Sequence, residues 1–193
     1  MLRTRSRWAT GTLEHAVTRG ATVGIAAALP TVALLMIAGG TYRGIGFATP
    51  MYSVISVLDP TPMFAALEAV GRGAAAPFQH QAFVAGLATC LMLGAVSGVV
   101  FTVGVTRHQV RNWRALAIIG PMHGILMMAL FYLGVLFVLS KFLNADLVAF
   151  SLSGLVGWPT LIAAHVLYGV VLAVWAARRG PDTAPPVPKW QQR

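Results

Sequence analysis

Ala115–Leu139, ALAIIGPMHGILMMALFYLGVLFVL, contains no Asp, Glu, Lys or Arg and a single histidine, His123, near its start. At ~1.5 Å rise per residue, about 20 apolar residues cross the ~30 Å hydrocarbon core of a bilayer. A core helix of a soluble protein at this length would keep a polar face, and this stretch has none. It predicts a transmembrane helix.

Three further runs outward from it read the same way: Ala21–Gly39, Ala82–Thr106 and Pro159–Ala177. The first exceeds the roughly 7–15 apolar residues of a signal-peptide core and is therefore read as a retained span. Pro30 in its middle predicts a kink whose freed carbonyl is met by neighbours. Composition agrees, since 57% of the 193 residues are hydrophobic and 10% charged, against about 25% charged in soluble domains. The fold expected is an all-α integral membrane bundle of four helices forming one domain over 1–179. Residues 180–193, with Pro181, Pro185, Pro186 and Pro188, are predicted to form a disordered cytoplasmic tail.

The connectors carry their own signals. Gly40–Gln81 is too polar and broken to span, but it repeats a start signal at Thr49-Pro50-Met51-Tyr52 and Thr61-Pro62-Met63-Phe64. Thr at the N-cap with Pro at the first helical position predicts two short helices, the second stopping at a Gly71 C′ residue. We expect both to lie at the membrane interface, with Met63, Phe64, Leu67 and Val70 toward lipid or bundle; an ordered loop is the alternative. Ser140–Trp158 reads as a mixed connector.

The net charge of +9 raises nucleic acid as a partner, but the basic residues flank apolar runs and do not form a groove-sized patch. With four spans, Arg3, Arg5, Arg7, Arg19, Arg107, Arg111, Arg114, Arg178, Arg179, Lys189 and Arg193 share one side, and Arg43, Arg72 and Lys141 the other. Eleven against three predicts both termini in the cytoplasm.

Chemistry in the spans rests on few groups. The four runs hold no Asp, Glu, Lys or Arg, which disfavours ion-coupled transport. No nucleophile elbow, phosphate loop, H-E-x-x-H or carboxylate pair appears, so an enzyme is disfavoured. The single Cys90 excludes an internal disulfide framework and a Cys-rich zinc site. Two histidines lie within spans. His165 shares a stripe with Gly169, Ala173 and Ala177, and His123 lies beside Gly120 and Gly124 with Met127 one turn on. Both stripes predict helix contacts, with each histidine hydrogen-bonded across one; for His165 the expected partner is a backbone carbonyl or Thr89 on a neighbouring helix. The alternative is haem or metal ligation. The two differ in depth by roughly 9 Å, which argues against a shared haem. Cys90 and Met127 fall near the depth of His165, where a soft metal competes with plain core filling. On the second span Gly86, Cys90, Gly94 and Ser97/Gly98 form a stripe of small residues that admits a neighbouring helix, as do Gly120, Gly124 and Gly169 on the later spans.

The A-H-V-L-Y-G-V-V-L-A pattern of Ala164–Ala173 resembles the closing helix of the YagU-like group of small bacterial inner-membrane proteins. The G-P-M-H-G of Gly120–Gly124 is similar to that group's third helix. The resemblance rests on His165, Tyr168, Gly169 and His123 within a four-span layout, and the long Pro50–Gln81 connector departs from it. It implies location in the bacterial cytoplasmic membrane and a fold, without implying an activity. The leading expectation is a non-enzymatic accessory or structural subunit that packs with other membrane subunits or with itself. A haem- or metal-binding redox subunit using His165 or His123 is the second reading, and an oligomeric small-molecule channel or exporter the third.

Overall fold

The computed structural model describes residues 10–41, 44–56, 58–110, 112–142 and 152–178. In chain order the helices are α1 (Thr10–Thr41), α2 (Thr49–Ile55), α3 (Thr61–Gly71), α4 (His80–Arg107), α5 (Trp113–Phe142), α6 (Leu152–Val156) and α7 (Trp158–Arg178), with no strand among the described residues. Four are long and apolar enough to cross a membrane: Leu13–Thr41, His80–Arg107, Trp113–Tyr132 and Trp158–Arg178. The expected tail at 180–193, and the flanking Arg3, Arg5, Arg7, Arg43, Arg111, Arg179, Lys189 and Arg193, lie outside the described residues.

The outward faces of the long helices are apolar. On α5, Ile118, Met122, Leu126 and Leu130 recur every four residues and all are exposed, and Met92, Val96 and Val100 do the same on α4. A soluble bundle puts polar residues at such positions; here the apolar stripe faces out.

Small residues face inward. α1 packs most extensively on α4, and α5 on α7; α1 also runs along α7, while α4 barely approaches α5. At the α1–α4 seam a Cβ on Gly20 would meet the Val99 backbone, and one on Gly98 would come within 2.6 Å of the Gly24 Cα. At the α5–α7 seam a Cβ on Gly120 would reach the Gly169 carbonyl and one on Gly124 the His165 carbonyl. In both seams residue numbers rise on one helix as they fall on the other, so the pairs are antiparallel. Between the two pairs, Thr31 Oγ1 on α1 donates to its own Ala27 carbonyl at 3.0 Å and shares the proton with the Ala164 carbonyl on α7 at 3.3 Å.

Several boundaries differ from the sequence reading. α1 begins at Thr10, where a solvated flank was expected; TLEHAVTR contains good helix formers and no Pro to stop the helix. Both short helices start at their Thr-Pro signals, but the Thr is the first helical residue and caps nothing with its side chain. Asp59 Oδ1 instead accepts from the Thr61 N–H at 3.0 Å. The C′ glycine of α3 is Gly73, not Gly71. Its φ is 73°, and the bonds Ala74 N–H to Ala69 O and Gly73 N–H to Val70 O, both 2.9 Å, form a Schellman closure.

α2 sits within protein. All its residues except Val54 are buried, whereas a helix lying on a membrane surface offers one apolar face to lipid. Gly86 of α4 explains how it fits, because a Cβ there would collide with the Met51 carbonyl. Tyr52, fully buried, fastens α2 to the chain ahead of α4: its hydroxyl donates to the Pro77 carbonyl at 3.2 Å and accepts from the Gln79 N–H at 2.8 Å. α6, in the connector read as mixed, adds Leu155 and Val156 to the same core cluster as Tyr52, Met63 and Leu161.

Candidate functional site

Three spans bring their polar side chains to one level. Ser97 lies about ten residues from the Arg107 end of α4, His123 about ten from the Trp113 start of α5, and Tyr168 about ten from either end of α7. Each is therefore roughly 15 Å along its helix, near the middle of a ~30 Å core.

His123 and Tyr168 both reach α4 at this level. His123 Nε2 lies 3.0 Å from Ser97 Oγ and 3.2 Å from the Ser97 carbonyl oxygen. Tyr168, buried, donates its hydroxyl to the Gly94 carbonyl at 2.7 Å, three residues before Ser97 on α4. Because a carbonyl can only accept, Nε2–H makes the contact with the Ser97 carbonyl, and the Tyr168 hydroxyl is the donor to Gly94. The His123 ring packs on Phe101 of α4, with centroids 5.2 Å apart. The result is a knot joining α4 to α5 and α7 where the α4 and α5 backbones do not meet.

His165 behaves differently from the expectation. Its Nδ1 lies 2.9 Å from the Leu161 carbonyl, one turn back on the same helix, so it does not bridge to a neighbour. Thr89, its expected partner, donates to its own Ala85 carbonyl at 2.8 Å. Because a carbonyl can only accept, Nδ1 carries the proton and Nε2 presents a lone pair. Nε2 has no hydrogen-bond partner among the described residues. His123 and His165 share no hydrogen-bond partner, and no group of three or more His, Cys, Asp or Glu that could hold a metal occurs among the described residues.

The small-residue stripe of α4 divides among neighbours. Gly94 and Gly98 face α1, Gly86 faces α2, and Ser97 turns to α5. Cys90 packs against the cluster of Val32, Met36 and Met51. Gly120, Gly124 and Gly169 lie together in the α5–α7 seam. Sequence reasoning missed Gly20 and Gly24. Their G-x-x-x-G spacing is the same as in Gly94–Gly98 and Gly120–Gly124, but Gly20 falls in the stretch that reads as a basic flank. It also missed Ser97 as a hydroxyl partner for His123. The signal was present, since Ser97 is the only polar residue in the LGAVSGVVF segment Leu93–Phe101.

Comparison with protein-family models, with curated proteins and with solved structures finds no match for this chain.

Proposed function

We propose that this chain is a non-enzymatic multi-pass membrane protein, an accessory or structural subunit that packs beside other membrane subunits or copies of itself. One observation carries the reading: three polar side chains within the spans reach from one helix to another. His123 engages Ser97, Tyr168 engages Gly94 and Thr31 reaches Ala164. Side chains used this way fix a bundle and leave little to bind or move a solute. The eleven-to-three split of basic residues supports both termini in the cytoplasm, and the resemblance of the last helix to the YagU-like group supports the bacterial cytoplasmic membrane. An oligomeric channel or exporter draws on no feature beyond the four spans.

The test is purification of the tagged full chain from its native membrane in mild detergent, followed by native mass and identification of co-purifying chains. The expected result is a defined assembly larger than one chain. A lone chain that transports a solute in vesicles would overturn the reading.

A second reading has one observation in its favour. Metal-ligating histidines characteristically donate one ring N–H to a backbone carbonyl and ligate through the other nitrogen, and His165 has this arrangement. A haem or metal subunit using His165 would show a visible band or stoichiometric metal in wild type and neither in His165→Gln. A colourless, metal-free wild type removes this reading.

A further inference from the structure

The two ends of the bundle handle their arginines differently. At the end bearing the α2–α3 connector, Arg72 is paired with Glu68 at 2.6 Å. At the other end Arg107, Arg114 and Arg178 are exposed on three different spans, and among the described residues none has an acidic partner. Glu14, the one described acidic residue at that end, forms no ion pair with them.

Hydrogen bonds close the end of α4 and the start of α5, the two helix ends that carry Arg107 and Arg114. α4 closes with bonds from Val110 N–H to Val105 O at 3.1 Å and from Gln109 N–H to Thr106 O at 3.2 Å. This closure forces Gln109 into the left-handed region at φ 51°. α5 opens on Asn112, whose side-chain oxygen accepts from the Arg114 N–H at 3.0 Å. Val110 between them is anchored in the core cluster around Leu116 and Tyr168. Arg107 and Arg114 therefore flank a short, doubly capped turn. The Arg114 guanidinium lies over the Trp113 ring, 5.7 Å from its centroid, and Trp113 is itself 65% exposed, as an interfacial anchor would be. Immediately inward, α4 and α5 make few backbone contacts and meet through side chains, among them Phe101, Ser97 and His123.

We propose that Arg107 at the end of α4 and Arg114 at the start of α5 form a binding site for the phosphate headgroup of an anionic phospholipid, with an acyl chain lying between α4 and α5. Guanidinium groups match phosphate oxygens in a two-pronged geometry. Unneutralised basic residues at a membrane surface attract anionic lipid. The inference rests on the membrane reading, but not on which side the turn faces.

The test uses the purified full chain in a neutral detergent, titrated separately with phosphatidylglycerol and with phosphatidylcholine. Thermal unfolding and the number of lipids retained in native mass spectrometry are followed. Phosphatidylglycerol should raise the melting temperature and stay bound, and phosphatidylcholine should do neither. Arg107→Gln and Arg114→Gln should each weaken the midpoint by roughly fivefold, and together by roughly thirtyfold. Arg72→Gln should leave the midpoint unchanged. Should the double glutamine variant fail to fold, Arg107→Lys with Arg114→Lys keeps both charges and should bind within roughly threefold of wild type. An unchanged midpoint in the double glutamine variant, an equal response to phosphatidylcholine, or an equal response to inorganic phosphate or a DNA oligonucleotide would overturn the proposal. Release of the chain from membranes by alkaline carbonate would instead overturn the membrane reading, a result distinct from a membrane-held chain indifferent to lipid charge.

Discussion

Along the α1–α4 seam the backbones meet at Gly20, Gly24, Gly94 and Gly98, whereas between α4 and α5 the backbones stand apart and side chains make the connection. The first contact has no tolerance for volume, because any added Cβ meets main-chain atoms that cannot rotate away. The second depends on particular polar atoms and has room around them. Lipid gives no hydrophobic drive to either, so close van der Waals approach serves one and hydrogen bonds serve the other. The expected energies differ accordingly, and substitutions can break or sharpen the contrast.

The largest effect is expected at the glycine seam. Gly98→Val should destabilise by about 3 kcal/mol or more, through overpacking against the Gly20 carbonyl and the Gly24 backbone. At Gly104, on the same helix, a Cβ would meet nothing within 4 Å, so Gly104→Ala should be neutral or stabilise by up to ~1 kcal/mol. Unfolding of both variants in one detergent checks the pair, and equal stability would remove the seam as a determinant.

A middle effect is expected where side chains cross. Ser97→Ala and His123→Leu should each cost about 1 kcal/mol, and their double-mutant cycle should show a coupling of about 0.6 kcal/mol, the average for hydrogen bonds between membrane helices. Additivity would mean that the 3.0 Å contact adds nothing to the α4–α5 connection.

The smallest effect belongs to the turn joining α4 and α5. Gln109→Gly relieves a left-handed backbone without changing any side-chain contact, and should stabilise by up to ~1 kcal/mol. A loss of stability would show that the Gln109 side chain contributes more than its backbone costs.

The same contrast explains how much of the molecule is legible in its sequence. Spans are legible because lipid demands about 20 apolar residues in a row, and the four runs correspond to the four long apolar helices. Small residues at a spacing of four mark close contacts on α4, α5 and α7, but the partner of each is not written in the helix that carries it. Thus Gly86 meets a connector helix and Gly94 meets α1. Gly20 is obscured by the charges around it, although α1 runs as one helix of 32 residues from Thr10 through the apolar run. The histidines show a further limit. Spacing places each on a face of its helix, yet side-chain direction depends on rotamer and on which acceptor is nearer. His123 therefore reaches another helix while His165 folds back on its own. Burial of α2 depends on Tyr52, Pro77 and Gln79 meeting across the connector, a tertiary fact with no periodic signature.

The central claim, four antiparallel spans crossing a bilayer with both termini in the cytoplasm, is tested most directly by reporter fusions along the chain. Fusions at Gly73 and Gly154 should report the outer side, and fusions at Asn112 and Asp182 the cytoplasm. A cytoplasmic signal at Gly73 would contradict the account, because α1 and α4 could then not both cross the membrane in the expected directions.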